Sequence, residues 1–208
     1  MDSNYKVAYD FEWNKLKRLN PLDISKRLDV KYLNDNKEFI IPFFENDYII
    51  DFKNTAIYIK EDNKEPLIDD SIIMLNYLTY STDLIINTNK WVTLKEIPKG
   101  VALFYPAFYK MTIKRLIETF SNNLENFELN SLKLGGKGIE LGDKGYKFKV
   151  LPKINICVAM WSGDDEIEAN ATILFEPEIE HLLHIETIIG LGMCISNKLI
   201  SMNKINKK

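Results

Sequence analysis

Six consecutive residues, Trp161-Ser162-Gly163-Asp164-Asp165-Glu166, place three carboxylates directly behind the apolar run from Ile156 to Trp161. Carboxylates at this density can gather a hard cation such as Mg²⁺ or Ca²⁺, which prefers oxygen ligands. The same residues also compose a hairpin turn, because Gly and Asp tolerate the backbone angles that tight turns demand. Neighbouring strand residues point to opposite faces, so Asp165 and Glu166 can share one ion only if the turn is irregular. Both readings stand on sequence alone. Trp161, Asp164, Asp165 and Glu166 are therefore candidate binding residues.

Glu186 is the fifth candidate. Pro177 is expected to open a helix over Glu178–Ile189, rich in Glu at its first turn. At about 100° per residue, Ile179, Leu182, Leu183 and Ile189 fall on one stripe, with Glu186 inside it. A carboxylate facing a core needs a donor, a cation or a raised pKa. The same projection turns His181 and His184 outward. Glu178-x-x-His181 matches half of a di-iron motif, but the chain has no second half, so no zinc or di-iron site is expected. Nor should Glu186 share an ion with Asp164. The strand from Glu166 to Phe175 carries the chain away by roughly 30 Å at ~3.3 Å per residue, and the helix recovers only about 15 Å of that by Glu186.

The glycine-rich segment Leu134–Gly145 invites a phosphate-loop reading. It lacks the closing Lys-Ser/Thr and opens no helix, so two tight turns leading into a strand explain it better. No catalytic residue, metal-ligand set or cofactor is assigned.

The elements that position these residues follow from hydrophobic periodicity. A first helix carries Ala8, Phe11, Leu16 and Leu19 and breaks at Asn20-Pro21. A second, starting at Asp23, carries Ile24, Leu28 and Leu33. Phe39–Phe44, Tyr48–Phe52 and Ala56–Ile59 read as an antiparallel meander. Asp69-Asp70-Ser71 are expected to cap a helix over Ile72–Tyr80. Trp91–Leu94 reads as a strand, and Pro98-Lys99-Gly100 as a turn. Pro106 opens a helix with Ile113, Leu116, Ile117 and Phe120 on one face, and another covers Leu124–Leu132. Three strands then follow: Tyr146–Val150, Ile154–Trp161 and Glu166–Phe175. In the last, Ile167, Ala169, Ala171, Ile173 and Phe175 should face inward. Segregated strands and helices predict an α+β fold, antiparallel sheet meanders with helices packed on one side. The 208 residues suit a single domain, with residues 1–100 and 101–208 as subdomains at most.

Composition sets further bounds. The chain is 46% hydrophobic and 27% charged, with a net charge of −3, values typical of globular proteins. Only three of its basic residues are arginine (Arg18, Arg27, Arg115), and the lysines form no stripe, which argues against nucleic acid. The cluster Lys204-Ile205-Asn206-Lys207-Lys208 reads as a solvated tail. Cys157 and Cys194, the two cysteines, make no disulfide framework. The polar start shows no signal peptide, and no uninterrupted apolar run approaches ~18 residues. A cytoplasmic protein without a membrane role is expected.

Several segments occur together in an informative order: Asn20-Pro21-Leu22-Asp23, Glu38-Phe39-Ile40-Ile41-Pro42, Leu75-Asn76-Tyr77-Leu78 and Lys90-Trp91-Val92-Thr93-Leu94. Leu134-Gly135-Gly136, Gly142-Asp143, Leu151-Pro152-Lys153, Trp161-x-Gly163-Asp164-Asp165-Glu166 and Ile173-Leu174-Phe175 follow. This set resembles domain of unknown function 3786, a family of anaerobic bacteria and archaea. Family members continue the acidic segment with an aromatic residue and proline, where this chain has Ile167 and Glu168. The family has no established activity. Some relatives carry an iron–sulfur module like that of corrinoid one-carbon enzymes, so the resemblance implies an accessory role in anaerobic redox or one-carbon metabolism. This chain lacks the cysteines to hold such a cluster. The leading expectation is a non-catalytic binding or accessory domain with an unidentified protein partner. A metal-assisted enzyme using Asp164, Asp165 and Glu166, and an oligomeric scaffold, are the alternatives.

Overall fold

The computed structural model describes residues 3–83, 90–97 and 101–205. Pro98-Lys99-Gly100 and Asn206 to Lys208 lie outside the described residues, as do Met1 and Asp2.

Helix α1 (Ser3–Leu16) is followed by α2 (Pro21–Leu28). The side chain of Asn20 caps α2 by accepting the Leu22 N–H at 3.0 Å, and Pro21 fills the first turn. The cap is thus Asn20 and not Asp23. Leu33 belongs to strand β1 (Lys31–Leu33) instead of a helix. Strands β2 (Glu38–Phe43), β3 (Asn46–Asp51) and β4 (Ala56–Ile59) continue from it, giving an antiparallel sheet in the order β1-β2-β3-β4.

Helix α3 (Ile68–Tyr80) closes this half. It starts four residues before the expected Ile72, and no side chain caps it. Asp70 is buried within its first turn.

Strand β5 (Val92–Thr93) leads through short 3-10 turns at Leu94–Glu96 and Val101–Phe104 into α4 (Tyr105–Met111) and α5 (Ile113–Phe120). The single helix expected here is broken at Thr112, whose backbone leaves the helical region at φ −128°, ψ −78°. Its hydroxyl bonds back to the Phe108 carbonyl at 2.6 Å, a local competitor of helical pairing.

Helix α6 (Leu124–Lys133), β6 (Lys137–Ile139), β7 (Lys144–Leu151), β8 (Ile154–Trp161) and β9 (Asn170–Phe175) complete the second sheet, in the order β5-β9-β8-β7-β6. All its pairings are antiparallel, and β7-β8-β9 is the expected meander. β9 begins at Asn170, four residues after the expected Glu166, and Ile167 is 67% exposed instead of facing inward.

A 3-10 turn at Pro177–His181 precedes the last helix, α7 (Ile185–Ile205). The architecture is α+β, with two antiparallel sheets and helices packed alongside. Buried apolar residues of both sheets join one continuous core. The Phe44 N–H, which donates to the Val150 carbonyl at 3.0 Å, ties the sheets together.

By length and composition, α7 could cross a membrane over Ile185–Met202. The segment is not an uninterrupted apolar run, since Glu186, Asn197 and Lys198 break it. In the fold α7 lies against α3, α4, α5 and α6, with Ile188, Leu191, Ile195 and Leu199 fully buried.

Candidate functional site

The acidic loop between β8 and β9 is built by local hydrogen bonds. The Asp164 carboxylate accepts the N–H groups of Glu166 (2.9 Å) and Ile167 (2.8 Å), while the Asp164 N–H donates to the Ile167 carbonyl at 2.9 Å. These backbone donors hold the Asp164 carboxyl below the usual carboxylate range. The segment Gly142-Asp143 docks beside it. The Asp143 carboxylate accepts the backbone N–H of Ser162 at 2.7 Å and also the Ser162 hydroxyl, which likewise lowers its pKa.

Glycine is required at two points here, one in this loop and one in the segment docked beside it. A side chain at Gly163 would stand 2.6 Å from the Ala169 nitrogen; at Gly142, whose φ is +66°, it would meet the Met160 carbonyl at 2.6 Å. Trp161 is half-buried, and Asp164, Asp165 and Glu166 are exposed. Among the described residues no three His, Cys, Asp or Glu side chains gather in a way that could hold a metal ion.

Glu186 is not in a buried stripe. The expected helix over Glu178–Ile189 is instead a 3-10 turn, a break, and the start of α7 at Ile185, so the angular register changes before Glu186. Its side chain is exposed, while Ile179, Leu182 and Leu183 are buried as expected. The acidic loop precedes β9 and Glu186 follows it, so the two lie on opposite sides of that strand in the chain. His184 is exposed, and its ring meets Tyr80 edge-on at 5.8 Å. His181 is part-exposed, 3.7 Å from Glu180.

Glu186 instead lies on the rim of a groove of about 810 Å³ between α1, α3 and α7. The walls are mainly apolar, with Tyr5, Val7 and Phe11 of α1 and Leu67 before α3 exposed along them. Two polar networks form its floor. In the first, Asp70, only 5% exposed, accepts the Cys194 thiol at 3.1 Å and the Lys198 ammonium at 2.7 Å. Burial alone would lower the Lys198 pKa, but the surrounding acidic groups, Cys194 and Asp70 foremost, outweigh it and raise it. Burial, reinforced by Asp70, pushes the Cys194 thiol well up, so it carries no reactive thiolate at neutral pH.

In the second network Glu12, 7% exposed, accepts the Asn76 side-chain amide at 3.0 Å and the Thr79 hydroxyl. The Asn76 carbonyl oxygen in turn accepts the His184 backbone N–H at 2.9 Å. This network joins α1, α3 and the entry to α7.

The family model for a domain of unknown function, DUF3786, matches residues 20–198. The chain belongs to the DUF3786 family. No curated protein and no solved structure matches it. The match covers α3 and, as far as Lys198, α7, and it begins after α1, which carries Glu12.

The groove was missed in the sequence for a definable reason. Ala8, Leu16 and Leu19 stand four, four and seven residues from Glu12, so the expected stripe already runs through Glu12, but one carboxylate among apolar residues gives no sign of a groove. The fold buries Trp13 and Leu16 and leaves Phe11 63% exposed. Tyr9, Trp13 and Leu16, spaced i, i+4 and i+7, carried the correct signal, with Glu12 on the same face. On α7, Thr187, Gly190, Cys194 and Ser201 form a small and polar stripe at helical spacing, and all four line the groove.

Proposed function

We propose that this DUF3786 chain is a non-catalytic binding or accessory domain, and that the groove between α1, α3 and α7 is its binding site. The observation that carries this reading is the groove itself: about 810 Å³, apolar on its walls, with buried polar side chains converging on its floor. Small-molecule sites commonly span ~300–1,000 Å³ and combine apolar walls with a few fixed polar groups. The floor supplies no activated nucleophile, since the Cys194 thiol is kept protonated and Lys198 is engaged by Asp70.

The acidic loop takes the part of a structural turn in this proposal. Its carboxylates are either committed to neighbouring N–H groups or open to solvent. A cytoplasmic accessory role in anaerobic redox or one-carbon metabolism completes the proposal and rests on the family resemblance alone.

Gly190 offers a direct test. It lines the groove, and a Cβ there would have no heavy atom within 4 Å. Gly190→Phe should therefore fill the groove without disturbing the packing beneath. The neutral apolar dye N-phenyl-1-naphthylamine should fluoresce with the native protein and lose that signal in Gly190→Phe of unchanged circular dichroism. Equal dye binding by the two proteins would remove the groove as the site.

A further inference from the structure

The charges on the groove are unequal. Among the described residues four carboxylates line it (Glu12, Asp69, Asp70 and Glu186), against two lysines, Lys15 and Lys198. Lys198 is already spent on Asp70 at 2.7 Å. Lys15 lies over the Tyr80 ring, 5.6 Å from its centroid. Glu12 is more than nine-tenths buried and faces the groove, yet among the described residues its partners are the two neutral donors Asn76 and Thr79.

A carboxyl group removed from water with only neutral donors as partners has capacity left for a charged one. Each of its oxygens accepts one hydrogen bond here and has lone-pair capacity for another. Around it stand apolar walls and the exposed rings of Tyr5 and Phe11 on α1. An ammonium is the group that fits: it donates to the free carboxylate positions, offsets the excess negative charge and is compatible with aromatic faces. An anion would meet uncompensated repulsion from Glu12 and from the rim residues Asp69 and Glu186. A neutral apolar molecule would leave Glu12 as it is.

We propose that the groove selects an organic ammonium compound, an apolar body carrying one cationic amine, with Glu12 as its anchoring carboxylate. This rests on the groove being the binding site. The body lies along the walls formed by α1 and α7, passing the side-chain-free surface at Gly190. The ammonium reaches the floor at Glu12, where the hydrogen bonds from Asn76 and Thr79 fix the carboxylate in place.

The test uses the full chain and three probes of one length: octylammonium, octanol and octanoate, each competing with N-phenyl-1-naphthylamine at pH 7. Octylammonium should displace the dye at least about tenfold more tightly than octanol, the scale of one hydrogen bond to a charged group, and octanoate should be the weakest. In Glu12→Gln, whose carbonyl oxygen can still accept from Asn76 while its NH2 can donate to the Thr79 hydroxyl oxygen, the amine and the alcohol should become equal. Glu186→Gln on the rim should change the ratio by less than about threefold, as expected of an exposed charge.

If wild-type protein binds all three probes equally, the amine inference falls while the groove reading stands. Should none of them compete with the dye, both fall. The comparison of probes on the wild type needs no variant, so a misfolded Glu12→Gln would not rescue the idea. A dimer that Gly190→Phe dissociates, seen by sedimentation, would assign the groove to a second copy of the chain and also overturn it.

Discussion

The acidic loop and the groove floor both hold carboxylates, but they satisfy them in opposite ways. In the loop, Asp164 is bonded to N–H groups two and three residues along, and it remains exposed. On the groove floor, Glu12 and Asp70 are buried and bonded to residues 64 to 128 positions away. A carboxylate held by its own neighbours in water shapes a turn. One held across the fold and out of water fixes helices against each other and sets the electrostatics of a cavity. Density of acidic residues in the sequence therefore pointed to the less informative of the two places.

This contrast can be broken most sharply at Asp70. Asp70→Ala leaves the Lys198 ammonium without its acceptor, and it should destabilise the fold by about 2–3 kcal/mol in urea titration. That is toward the low end for a broken buried pair, because a quarter of the Lys198 side chain is still in water. A loss near zero would mean that the floor is as solvated as the loop.

The two glycines of α7 come next. Gly192 faces the core, where an added Cβ would stand 2.4 Å from the Phe108 ring. Gly192→Ala should cost about 1–2 kcal/mol by overpacking. Gly190 faces the groove and meets nothing, so Gly190→Ala should stabilise the helix by up to about 1 kcal/mol. Effects of the same sign in thermal melts would contradict the assignment of the two faces.

The smallest effect is expected in the loop. The pKa values of Asp164 and Asp143 are lowered by their N–H and hydroxyl donors. A depressed carboxylate contributes stability above its unfolded pKa, about 3.9, and loses it as pH falls through the lower folded value. Asp164→Ala should therefore show a small deficit in melting temperature at pH 7, below that of Asp70→Ala, and the deficit should vanish on acidification toward pH 2. A deficit that persists there would mean that the side chain acts through packing instead of through its charge.

Much of the fold was legible along the chain. The three runs from Phe39 to Ile59 became β2, β3 and β4, and the meander β7-β8-β9 formed as expected except that β9 starts at Asn170, because those signals are local. Legibility failed where a local pattern was overridden. Thr112 interrupts an otherwise continuous apolar periodicity through its own hydroxyl. Helix α7 restarts after the 3-10 turn at Pro177–His181, and the new register exposes Glu186. A projection that assumes one unbroken helix therefore places Glu186 on the wrong face.

The residues themselves settled the α+β class, the antiparallel pairing and the membership in DUF3786, since each depends on spacing over a few residues or on a run of short motifs. Tertiary structure alone decided that Glu12, Asn76 and Thr79 meet, that Asp70 joins Cys194 and Lys198, and that an open groove lies between α1, α3 and α7. Those contacts join helices that are far apart in the chain. Whether a carboxylate on such a helix is solvated or buried depends on which neighbour packs over it, and that is set by the burial of the whole apolar core.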